Sequence, residues 1–119
     1  NEKRELLATT LLPDVGVGPH AAALGIAFAK DRPADAQLAY VARHGSWNRS
    51  GFSGYDVQAV PFAAGRPAGA PQPFLTGFVA DEKAGTVYGR PVSVQARADG
   101  SLFVVDDSGD TVWLVRRGG

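Results

Sequence analysis

Apolar residues fall in short runs separated by glycine, proline and acidic turns, and none of the runs keeps a helical period for long. Between these marks the candidate strands are Ala22–Ala29, Gln37–Ala42, Tyr55–Phe62 and Pro73–Val79, then Pro91–Ala96, Ser101–Asp106 and Thr111–Arg116. Ser101–Asp106 is apolar at Leu102, Phe103, Val104 and Val105 in succession, which predicts a strand buried on both pleat faces. Tyr55–Phe62 alternates more openly, with Tyr55, Val57 and Ala59 on one face and Asp56, Gln58 and Val60 on the other, so it is expected nearer an edge. Glu2–Leu12 has some helical pattern, but β-branched Thr9 and Thr10 favour an extended strand at least as much.

A unit recurs along the chain: an apolar strand, a turn, a second strand ending in polar residues, another turn and a third strand. Its first copy is GIAFAKD, LAYVARHGSWN and YDVQAVPF; its second is PVSVQARADG, LFVVDDSGD and TVWLVRR. The expected fold class is therefore all-β, with about two successive β-propeller blades, each an incomplete four-stranded antiparallel unit.

Composition supports this expectation. Gly 15 and Pro 8 in 119 residues punctuate turns and leave little room for helix. Twelve basic residues balance twelve acidic ones, so no net charge attracts nucleic acid, and no apolar run reaches the ~20 residues of a membrane span. With no cysteine, disulfides, thiolate metal sites and cysteine nucleophiles are excluded. The chain has no methionine and opens at Asn1 without an apolar leader, and is expected to be a processed or excised piece.

Other motifs carry little. GFSGY lacks the last glycine of a nucleophile elbow, and Asn48-Arg49-Ser50 is a short sequon of a kind common by chance. Asp106, Asp107 and Asp110 do not have EF-hand spacing and read as a solvated turn.

The string His44-Gly45-Ser46-Trp47-Asn48-Arg49-Ser50, followed by GYDVQAVPF, FLTGF and YGRPVSV with DGSLFVVDD, resembles the glucose/sorbosone dehydrogenase family. The upstream GPHAAALGIAF fits as well, so the resemblance runs from about Asp14 to Arg116. It implies a six-bladed propeller that uses pyrroloquinoline quinone (PQQ), with residues 1–119 as its C-terminal blades. It also implies Ca²⁺ beside the cofactor, a sugar substrate, an external electron acceptor, the remaining propeller blades as partners, and a periplasmic or secreted location. The family's proton-accepting histidine belongs to an early blade and has no counterpart in this chain.

PQQ is a flat tricarboxylate, so its site needs cations or hydrogen-bond donors and a flat apolar surface. The resemblance implies cofactor-binding roles for His44, Trp47, Asn48, Arg49 and Arg90, and a substrate-side role for His20. Arg43 rivals Arg49 as the loop's cation, and Arg66, in a second Gly-Arg-Pro turn, is expected at the opposite strand end. Two further readings compete with the dehydrogenase: a propeller module that binds a ligand or protein without turnover, and a sugar-lactone hydrolase, against which HGSWNR argues.

Overall fold

The computed structural model describes residues 2–47 and 50–118. Among them are one helix, α1 (Glu2–Thr9), and ten strands: β1 (Ala23–Phe28), β2 (Ala36–Arg43), β3 (Asp56–Ala63), β4 (Arg66–Pro67), β5 (Gln72–Leu75), β6 (Val79–Asp81), β7 (Thr86–Val87), β8 (Pro91–Ala96), β9 (Leu102–Asp106) and β10 (Thr111–Val115). The fold is all-β and propeller-like. Both copies of the recurring unit are antiparallel meanders, β1-β2-β3 and β8-β9-β10.

The two units stack face to face. Ala29, Tyr40, Ala42 and Val57 from the first pack against Val94, Ala96, Leu102 and Val104 of the second in one buried cluster. Gly25 lets the backbones of β1 and β8 touch: a Cβ there would stand 2.7 Å from Ser93 Cα and 2.8 Å from Val92 O. Glycine is required here by the close approach of two strands.

Several expectations need correction. Residues 2–9 form a helix, because acidic Glu2 and Glu5 suit its first turn; Thr9 and Thr10 close it by donating their hydroxyls to Leu6 O at 3.0 and 2.7 Å. Pro73–Val79 is two strands, broken at Gly77, whose φ is +98°. Because β5 pairs with β3, the first unit has its fourth strand and is complete. β3 is interior to its sheet and largely buried, since β2 covers one side while β4 and β5 share the other. β9 is buried on one face only: Leu102, Val104 and Asp106 point inward while Val105 is 37% exposed.

Two sheet faces are open to solvent. Leu24, Ile26 and Phe28 project from β1, and Val112 and Leu114 from β10. A cleft of about 370 Å³ is lined by Leu24 and Ile26 of β1, and one of about 500 Å³ by Trp113 and Leu114 of β10.

Replacing Gly25 by alanine forces a Cβ onto the β8 backbone. Urea unfolding should show a loss of roughly 1–3 kcal/mol, the usual cost of overpacking; an unchanged midpoint would argue against the face-to-face contact.

Candidate functional site

The site forms where β2 ends, where β8 begins and where β9 turns into β10. At the end of β2, His44 N donates to Ala22 O and Gly45 N to Ala21 O, both at 2.9 Å, which ties the residues after β2 to the segment before β1. The loop then closes on itself: Ser46 N donates to Ser53 O at 2.8 Å, and Ser53 N to Ser46 Oγ at 3.1 Å. The Tyr55 hydroxyl donates to Ser46 O across the base of the loop. Gly45 has φ +99° and lies against the Tyr55 ring, so both its backbone and its neighbour exclude a side chain.

Of the five non-glycine residues with positive φ among the described residues, His20, Ala22 and Tyr55 fall in these turns, while Ala64 lies at the far end of β3 and Asp110 between β9 and β10. Non-glycine residues in that region cost of order 1–3 kcal/mol each, and such strain clusters at functional sites.

Arg90 binds this loop from the second unit. Its Nε donates to His44 O at 3.0 Å and its Nη2 to Gly45 O at 2.8 Å, and the guanidinium lies 5.2 Å from the centre of the Tyr55 ring. Every one of these partners is neutral. Among the described residues no carboxylate pairs with the Arg90 guanidinium.

Asp106 fixes the start of that arm. Its carboxylate, 1% exposed, accepts from Arg90 N at 2.8 Å, Gly109 N at 2.8 Å, Ser108 N at 3.1 Å and the Trp113 indole at 3.4 Å. Burial pushes its pKa up, but donation from Arg90, Gly109, Trp113 and Ser108 outweighs burial and holds the carboxyl below its ordinary value. The turn is therefore more than solvated aspartates. Gly89 lies so close to this carboxylate that an added Cβ would collide with it.

The expected site residues are placed as follows. His44 and Arg90 meet, although they are 46 residues apart. Trp47 is 86% exposed and shares a cavity of about 230 Å³ with His20, Ala22, Gly45 and Ser46. Asn48 and Arg49 lie outside the described residues. Arg43, the rival cation, is engaged: its Nε and Nη2 meet the two Asp56 oxygens at 2.6 and 2.5 Å, and its Nη1 donates to Val17 O at 2.8 Å. Arg66 pairs with Ala63 at the far end of β3, whereas Arg43 pairs with Asp56 at the near end. Seven strand steps separate the two ends, roughly 23 Å.

Sequence reasoning missed two members. Asp106 is inward-facing because of strand alternation, which the run of apolar neighbours concealed. Asp107 Oδ1 lies 2.7 Å from His44 Nε2, a contact across 63 residues that no local pattern signals.

The geometry defines a class before a family: an all-β, propeller-like chain with a cation-bearing loop where two units meet. A family profile described as TrAA12-like matches residues 7–118. The chain belongs to the TrAA12-like family. It is 33% identical over 112 residues to an uncharacterized protein of Borreliella burgdorferi, covering 90% of this chain and 29% of that protein. Among solved structures it is similar to the holo form of the pyranose dehydrogenase PQQ domain from Coprinopsis cinerea, with 30% identity, a TM-score of 0.71 and coverage of 93% of this chain and 30% of that one. A structure of the Trichoderma reesei Carbohydrate-Active Enzymes Family AA12 protein matches at 26% identity and TM-score 0.60, over 68% of this chain and 22% of that one. The chain thus spans under a third of the length of each relative. The coarser expectation, a family of PQQ-dependent sugar-dehydrogenase type, agrees with these matches.

Asp106→Ala leaves three backbone N–H groups and an indole without their acceptor. A loss of about 3 kcal/mol or more is expected in urea unfolding, with Asp106→Asn intermediate. Because the folded pKa lies below the unfolded value, this contribution is present above roughly pH 4 and is lost as pH falls through the folded pKa. Acid titration should therefore narrow the gap between wild type and Asp106→Asn; a constant gap would contradict the assignment.

Proposed function

We propose that this chain is the C-terminal part of a PQQ-dependent sugar dehydrogenase and contributes residues to its cofactor and substrate sites. The observation that carries the reading is the Arg90 guanidinium, held by the carbonyls of His44 and Gly45 and with no carboxylate paired to it among the described residues. A half-buried cation without such a partner fits a ligand that brings carboxylates. The exposed Trp47 indole fits a flat ring system.

The chemistry supplied by bound PQQ is two-electron oxidation of a sugar carbon. This chain's part is to bind and orient. Arg90 holds a cofactor carboxylate and keeps the loop closed, Trp47 offers an aromatic surface, and His44 contacts the ligand. Asn48 and Arg49 belong to the proposed cofactor set on sequence grounds alone. His20, which lines the cavity with Trp47, is assigned to the sugar side. Calcium, implied by the resemblance, has no cluster of three His, Asp or Glu side chains among the described residues to hold it, so no role is derived for it.

The remaining blades of the propeller are proposed to cover the open faces of β1 and β10, where Leu24 is 59% and Val112 62% exposed. The radius of gyration, 16.2 Å, exceeds the roughly 13.5 Å of a compact domain of this length, in keeping with a piece of a larger ring. An external electron acceptor and a periplasmic or secreted location belong to the same proposal.

Titrating the protein with PQQ tests the reading. Arg90→Ala should weaken affinity about 10- to 150-fold, the equivalent of one charge-assisted bond. Arg90→Lys should recover only part of this, because a point charge cannot reach two carbonyls and a carboxylate together. Arg66→Ala, at the far strand end, should leave affinity unchanged. Equal losses for Arg66→Ala and Arg90→Ala, or no loss for Arg90→Ala, would refute the site.

A further inference from the structure

The contact between His44 and Asp107 is not used by the cofactor reading. We infer that Asp107 is a positioning residue that makes His44 a hydrogen-bond acceptor for a sugar hydroxyl, rather than a donor to a cofactor carboxylate. The inference rests on the proposed function and moves His44 to the substrate side of that site.

An ionised carboxylate only accepts hydrogen bonds, so the imidazole nitrogen that meets Asp107 at 2.7 Å carries a proton. In a neutral imidazole the other nitrogen, Nδ1, is then a lone pair. Nδ1 has no protein partner among the described residues.

The ring is also held in place. His44 N donates to Ala22 O at 2.9 Å, and its carbonyl accepts from Arg90 Nε at 3.0 Å, so the backbone is pinned on both sides. The imidazole is 19% exposed and reaches across to a carboxylate on the β9–β10 turn. A second unit therefore sets the ring's orientation and its tautomer, as the carboxylate partner of a functional histidine does. Within a few residues the site divides its work: Arg90 supplies the positive charge that an anionic group needs, and His44 supplies the acceptor that a hydroxyl needs.

The protein has two histidines, so His20→Gln assigns the other ring in ¹⁵N-labelled full-length chain. Long-range ¹H–¹⁵N correlation at pH 8 should show His44 as the Nε2–H tautomer. Asp107→Asn should keep that pattern because its amide oxygen still accepts, whereas Asp107→Ala should lose it to a mixture of tautomers. PQQ affinity of Asp107→Ala should stay within about 2-fold of wild type, because no cation is removed. Adding D-glucose to PQQ-loaded chain should shift His44 Nδ1 in wild type and Asp107→Asn but not in Asp107→Ala. An imidazolium or Nδ1–H form at pH 8, tautomers unaffected by Asp107→Ala, a PQQ affinity loss in Asp107→Ala as large as that of Arg90→Ala, or no glucose-induced shift in wild type would each overturn the inference. If wild type bound no PQQ, the proposed function would fall, while the tautomer of His44 would still report on Asp107 by itself.

Discussion

The Asp106 carboxylate is taken out of water between two strands and a turn, and it stays charged there only because the chain brings it donors from Arg90, Ser108, Gly109 and Trp113. Binding Arg90 through its backbone fixes where that side chain starts. The guanidinium then crosses to the first unit and gathers the carbonyls of His44 and Gly45. His44 returns the connection to Asp107, the neighbour of Asp106 in sequence. Two sheets that pack through an apolar core are thus also joined at one end by a closed circuit of polar contacts.

The circuit depends on glycine in two distinct ways. Gly45 is needed for its conformation and because the Tyr55 ring fills the space where a side chain would go. Gly25 and Gly89 have ordinary backbones and are needed for space alone, one against β8 and the other against Asp106. Three of the five non-glycine residues with positive φ among the described residues, His20, Ala22 and Tyr55, lie in the turns around this loop, while Ala64 and Asp110 lie elsewhere. The opposite strand end near Arg66 has a positive-φ turn of its own, at Ala64 (φ +47°) and Gly65 (φ +76°).

The apolar core and the apolar exposed faces come from one pattern. β1 turns Ala27 toward the second unit and Leu24, Ile26 and Phe28 away from it. A sheet stacked in a series of sheets needs apolar groups on both sides, and the Borreliella burgdorferi and Coprinopsis cinerea relatives are more than three times as long as this chain. The clefts lined by β1 and β10 are larger than the cavity beside Trp47 and are lined mostly by apolar side chains.

Strand positions were legible from the sequence because glycine and proline act locally: the meanders β1-β2-β3 and β8-β9-β10 fall where the apolar runs between turns put them. The motif HGSWNR and the turn at Arg90 were also legible as chemistry, since residue types alone specify cations, imidazole and indole. Burial was not, because the exposure of Phe103 and Val105 depends on what covers β9, and the interior position of β3 depends on where β5 returns. The helix at Glu2–Thr9 was less legible because acids that suit a first helical turn and β-branched threonines that favour extended chain compete over so short a segment. What only the tertiary structure decided is which charges are engaged: Arg43 is neutralised by Asp56, Arg90 has no carboxylate partner among the described residues, and Asp107 reaches His44. Those outcomes depend on distances between residues far apart in the chain, and local sequence patterns do not encode them.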